Sequence, residues 1–178
     1  MPAPRPEPEP APERRAALCA AAACLLAAAA PARALEHPSG AVVLTLRGRV
    51  RNFNGAGVAD FDMAMLERLP QTSYSTRTPW YAQPRRFTGP LLRDVLAAAD
   101  AHGSTLRMVA LNDYRVDLPW QDAQQFDVIV ARLLDDRPMA VRDKGPLFIM
   151  YPFDAQPELG RAIYFNRAAW QLRAIEVL

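Results

Sequence analysis

The sequence predicts an α+β domain of many short, mostly antiparallel strands and two or three short helices, carried behind a removable leader. Three observations lead there. Several segments alternate apolar and polar residues with a period of two, the pattern of half-buried strands. Few segments repeat at helical spacing, and the surest is Leu91, Leu92, Val95, Leu96 and Ala99. Residues 1–34 differ in composition from everything that follows them.

The leader begins with a proline-rich stretch, Pro2 to Pro12, followed by Arg14 and Arg15 and an alanine-rich apolar run from Ala16 to Ala30. Ala32, Arg33 and Ala34 then form a small-x-small cleavage pattern, so the expectation is an export signal cut after Ala34. The apolar run is shorter than the roughly twenty residues that span a bilayer, which argues against a membrane anchor. The arginine pair permits the twin-arginine route, while the general secretory route needs only its positive charge, and both stay open. Either route implies the periplasm. Cys19 and Cys24 are the only cysteines, and both lie in the leader, so residues 35–178 form one domain without a thiol or a disulfide.

Val42 to Val50 alternates as a strand, and Gly55 and Gly57 mark a turn. Asp62 can cap a short helix whose apolar face is Met63, Leu66 and Leu69, with Pro70 as its stop. Gln71 to Thr78 follows as a polar alternating strand. The proline-bearing segment Pro79, Trp80, Tyr81, Ala82, Gln83, Pro84 reads as a loop. Pro90 is then the expected first residue of a helix that runs toward Gly103. Leu106 to Leu111 and Tyr114 to Leu118 form an antiparallel hairpin with Asn112 and Asp113 at its tip. Val128 to Leu134 and Leu147 to Tyr151 are buried strands, the first closed by a turn at Asp135 to Pro138, and Gln171 to Val177 is the last. Two loops remain, Arg142 to Pro146 and Pro152 to Gly160, the second leading into Tyr164, Phe165, Asn166 and Arg167.

Charge and chemistry exclude several function classes. The chain has 21 basic and 19 acidic residues, a balance that implies neither nucleic acid nor acidic lipid as a partner. His37 and His102 stand apart with no spaced carboxylates, which is not a metal-ligand pattern. Ser39, Ser73, Ser75 and Ser104 sit in no nucleophile elbow. What remains is a set of arginines and polar loop tips, among them Arg77, Arg85, Arg86 and Arg142, together with Lys144, the only lysine in the chain. Guanidinium forks suit phosphate and carboxylate, and loops on a rigid scaffold are where ligand sites collect.

Several segments, taken in order, resemble the molybdopterin-binding oxidoreductase domain of the sulfite oxidase type. They are Glu67 to Pro70; Phe87 to Leu96; Leu111 to Tyr114; Arg137 to Met139; Lys144 to Leu147 leading to Pro152; and Trp170 to Val177. The resemblance spans the chain from Val42 onward and implies a sulfite-oxidase-like fold. In that family a cysteine on the strand after the first helix ligates molybdenum. The corresponding position falls near Thr76, and Gln71 to Trp80 contains no cysteine. Lys144 stands where a histidine is common, Phe148 where an arginine is expected, and Ala169 where a lysine often precedes the final tryptophan. Arg167 stands close enough in sequence to replace that charge.

Packing positions are kept while binding positions differ, so the resemblance implies a degenerate, non-catalytic periplasmic module. Its old cleft would take a small anionic or pterin-like ligand, or dock a periplasmic or membrane sensor or redox partner. The alternative is an exported oxidoreductase that holds molybdopterin without a cysteine ligand. Under both, the expected ligand-facing set is Thr76, Arg77, Trp80, Asn112, Asp113, Tyr114, Arg142, Lys144 and Arg167. No residue is assigned a catalytic or metal-ligating role.

Overall fold

The computed structural model describes Met1 and residues 34–178. The expected leader, its cleavage site and both cysteines lie outside the described residues, apart from Met1 and Ala34. Among the described residues no helix is long and apolar enough to cross a membrane.

The domain is mixed α+β, with three sheets. The largest sheet uses β1 (Val42–Gly48), β2 (Ala59–Asp62), β5 (Thr105–Ala110), β6 (Arg115–Pro119) and β11 (Leu172–Val177) in the order β2-β1-β11-β5-β6. Its pairs are antiparallel except β1 with β11, which run parallel with Thr45 opposite Ala174. A second sheet has the order β3-β4-β8-β9, from β3 (Gln71–Thr78), β4 (Tyr81–Pro90), β8 (Leu133–Leu134) and β9 (Arg137–Pro138). The third pairs β7 (Ile129–Ala131) with β10 (Phe148–Met150). The core runs between them: Leu44 and Leu46 of β1, Leu106 and Met108 of β5, Phe87 of β4, and Ile129, Phe148 and Ile149 of the small sheet are all closed to solvent. Leu92, Val95 and Leu96 of α2 (Leu92–Ala98) join this core, each burial contributing about 2 kcal/mol.

Local chemistry explains the first helix. Asp62 ends β2 and caps α1 (Met63–Arg68), its Oδ1 accepting the Met65 amide at 2.8 Å. Its other oxygen accepts the amides of Ser39 at 2.7 Å and Gly40 at 2.8 Å, which ties the start of the domain to the helix. These bonds favour the charged form and hold the Asp62 pKa down at about 2, the Met65 amide contributing most and the Gly40 amide next, against an opposing desolvation. The carboxylate is closed to water by nearby backbone rather than deep in the core, so hydrogen bonding outweighs desolvation.

Several expectations need correction. Tyr81 to Pro84 is the start of a strand, because β3 and β4 form a hairpin turning at Pro79 and Trp80. Pro84 is tolerated because the register slips between Thr76 and Thr78, and β8 pairs with β4 only at Phe87 and Thr88. Pro90 ends β4 instead of opening a helix, and α2 stops at Ala98 with Asp100 at φ 46°. Four α-helices are present among the described residues; α3 (Trp120–Gln125) and α4 (Ala162–Arg167) were not expected, and neither has a side-chain cap to announce it. β2 was likewise missed. The run Val128 to Leu134 divides between two sheets, as β7 and β8. At Gly89 a Cβ would overlap the Val130 carbonyl, so only glycine lets β4 approach β7 this closely.

Candidate functional site

Two neighbouring cavities and one buried ionic knot account for most of the expected site residues. The larger cavity, about 350 Å³, is lined by Tyr81 and Arg85 of β4, by Met139, and by Arg142, Asp143 and Lys144 of the loop after β9. Tyr81 and Arg85 lie four residues apart on one strand and share its face. The loop is shaped by a 3-10 turn over Val141–Asp143 and by Lys144 in the left-handed region at φ 75°. Gly145 follows it closely: its amide donates to the Ala140 carbonyl at 2.9 Å, and a Cβ there would overlap the Met139 carbonyl.

Three cations meet at this cavity, each with a different partner. The Lys144 ammonium lies 5.8 Å from the Tyr81 ring centre and 5.4 Å from that of Trp170, within reach of both π faces. Among the described residues no carboxylate pairs with it. The Arg85 guanidinium lies 5.2 Å from the Tyr81 ring and bonds Asp135 at 2.5 Å, while its Nε is closed to water with no acceptor. Arg142 stands 88% exposed, with Asp143 at 3.5 Å. Burial raises the Tyr81 pKa, partly offset by the positive charge of Arg85. Tyr81 is therefore a neutral wall of the cleft at physiological pH.

The smaller cavity, about 180 Å³, is lined by Trp80, Tyr114, Phe165, Asn166 and Trp170 among others. Trp80 is the hub of this group. Its ring centre lies 5.4 Å from Phe148, 5.8 Å from Trp170, 6.3 Å from Phe153 and 6.4 Å from Phe165.

Arg167 lies in neither lining. Its Nη1 donates to Asp122 Oδ2 at 2.8 Å, the same oxygen that accepts the Tyr151 hydroxyl at 2.7 Å. Asp122 is buried, and Tyr164 lies 5.3 Å from the guanidinium. This knot ties α3 to the end of α4 and to the chain leaving β10. Burial first, then the bond to and the charge of Asp122, pushes the Tyr151 pKa well above the ordinary tyrosine range.

The other expected residues are placed as follows. Thr76 is buried, its Oγ1 accepting the Asp154 amide at 3.2 Å and donating to the Arg77 carbonyl at 3.4 Å. The Arg77 amide donates to the Asp154 carboxylate at 2.9 Å, so this pair pins the Pro152 to Gly160 loop to β3. Asn112 closes the hairpin tip by accepting the Tyr114 amide at 3.1 Å. Asp113, at φ 64°, forms an ion pair with Arg173. The structure thus brings Arg142 and Lys144 to one cavity and Trp80 and Tyr114 to the next. Tyr81, Arg85 and Trp170 complete the two linings, and were absent from the expected set. A strand reading of Tyr81 to Arg85 would have placed the first two on one face.

Molybdenum does not fit the residues around Thr76. A hydroxyl already engaged at both lone pair and proton, inside a closed strand pair, is a poor donor to a soft-ligand site. Among the described residues no three His, Cys, Asp or Glu side chains converge as a ligand group.

No protein-family model matches the chain, and no curated protein matches it either.

Proposed function

We propose that the protein is a non-catalytic periplasmic binding module with a degenerate sulfite-oxidase-like fold, whose cleft at Tyr81, Arg85, Arg142 and Lys144 takes a small anion. The single observation behind this reading is the convergence of three cations on one 350 Å³ cavity, with Lys144 held over two aromatic rings and bound to no carboxylate among the described residues. An ammonium placed this way keeps its charge available for a ligand. The Arg85 guanidinium, paired at its far end with Asp135, adds a second positive group to the same wall. The periplasmic assignment is supported by the Arg14 to Ala34 signal pattern, and the degenerate fold by the ordered resemblance with threonine in place of the thiolate.

Tyr81 holds the Lys144 and Arg85 cations beside its ring, and Arg142, 88% exposed, reaches outward to meet the incoming anion. The test is a calorimetric titration of inorganic pyrophosphate into protein purified from its native periplasm, at low and at raised ionic strength. Binding that weakens with salt, and falls about tenfold or more in Arg142→Ala, is the expected result. Stoichiometric molybdenum and pterin in the purified material would overturn the reading.

A further inference from the structure

The smaller cavity carries a different chemistry from the cationic cleft beside it. None of the residues lining it is charged: Trp80, Tyr114, Phe165 and Trp170 supply the rings, and Asn166 supplies one amide. The rings stand at steep mutual angles, Trp80 at 74° to Trp170 and at 89° to Phe165. A flat heterocycle or a sugar face needs a parallel platform, whereas steep walls enclose a rounded group. At about 180 Å³ the space suits a head group rather than a drug-sized molecule. Tyr114 and Trp170 are 52% and 39% exposed and form its open side.

A rounded group surrounded by π systems is best matched by a soft cation, and the ring of Trp170 already has the Lys144 ammonium 5.4 Å from its centre. Lys144 does not line this cavity; it lines the neighbouring one, so Trp170 separates the two. A second cation in the aromatic cavity would lie within a screening length of Lys144 and be opposed by it. A ligand carrying its own carboxylate would turn that opposition into attraction. We propose that the cavity formed by Trp80, Tyr114, Phe165 and Trp170 is an aromatic cage for a small zwitterion with a trimethylammonium head, its carboxylate directed toward Lys144. The site stands on the aromatic geometry and does not require the anion reading of the cleft.

The test titrates trimethylglycine into the protein at low ionic strength, followed by tryptophan fluorescence, beside its carbon isostere tert-butylacetate. The isostere keeps shape and carboxylate and lacks only the cationic nitrogen. Trimethylglycine should bind about tenfold or more tightly than the isostere, the affinity difference that one desolvated cation-π contact produces. Trp170→Leu and the exposed Tyr114→Leu should each remove that preference, while Arg68→Gln, at an exposed residue of α1 that lines neither cavity, should leave it intact. Choline, the cation without the carboxylate, should bind more weakly than trimethylglycine in the wild type and regain affinity in Lys144→Gln. Equal affinity for the isostere would mean an apolar pocket without cation selection, and would overturn the proposal, as would the absence of binding by trimethylglycine. Choline binding as tightly as trimethylglycine would remove the role given to Lys144.

Discussion

Arg167 and Lys144 entered as two members of one expected ligand set, and the fold treats them in opposite ways. Arg167 is turned inward, bonded to a buried carboxylate that also takes the Tyr151 hydroxyl, so its charge is consumed in joining α3 to α4. Lys144 is held outward by a left-handed backbone turn and rests on two aromatic rings, with no counter-charge among the described residues. The partner of a cation, rather than its place in a motif, separates a charge spent inside the fold, as at Arg167, from one that rests on rings, as at Lys144.

Breaking the inward knot should have the largest effect. In Asp122→Ala the guanidinium of Arg167 loses its buried counter-ion, and the Tyr151 hydroxyl loses its acceptor. The expected cost is about 3 kcal/mol of stability, read as a lower midpoint in urea unfolding. Pyrophosphate affinity of the folded fraction should stay as in the wild type, because Asp122 lines neither cavity. A loss of affinity without a loss of stability would reverse the roles assigned to the two regions.

Acid sharpens the contrast by weakening the fold at a carboxylate remote from the cleft. Asp62 has its pKa depressed to about 2 in the folded protein. A depressed carboxylate adds stability that is fully present above its unfolded value near 4 and is lost as pH falls toward 2. That contribution is about 2 kcal/mol. Unfolding measured between pH 5 and pH 2 should therefore steepen in the wild type and flatten in Asp62→Asn, whose stability at neutral pH is already lower. An identical acid profile for the variant would remove Asp62 as the cause.

The smallest stability effect is expected at the cleft. Arg142 is 88% exposed, and Arg142→Ala should change unfolding free energy by no more than about 0.5 kcal/mol while weakening anion binding. A fall in melting temperature as large as that of Asp122→Ala would make the cleft loop structural.

Much of the fold was legible because its signals are local. The Asp62 cap joins a side chain to an amide three residues on, and β3 matches the alternating run Gln71 to Thr78 residue for residue. The turn at Asn112 and Asp113 was legible for the same reason, with Asp113 in the left-handed region that such tips demand. The misread parts depend on distant contacts. Pro84 looked like a loop residue because its tolerance rests on a register slip in the facing strand. α3 and α4 are short and uncapped, and they hold their place through the bond between Asp122 and Arg167 across the chain. The site followed the same rule. Lys144 and Arg142 were named from a charged loop with glycine, but the cavity that Arg142 and Lys144 share with Tyr81 and Arg85, and the placing of Lys144 beside Trp170, are made by the tertiary structure alone. Thr76 was correctly seen to offer no thiolate, yet its work in tying down the Asp154 loop could not be read from sequence.

The decisive measurement is a titration of pyrophosphate into the wild type and into Lys144→Gln, with unfolding curves for both. The variant should keep its melting temperature within a degree or two of the wild type and lose about tenfold or more in affinity. A variant that binds pyrophosphate as tightly as the wild type would contradict the claim that this lysine, without a carboxylate partner among the described residues, is the charge the cleft presents.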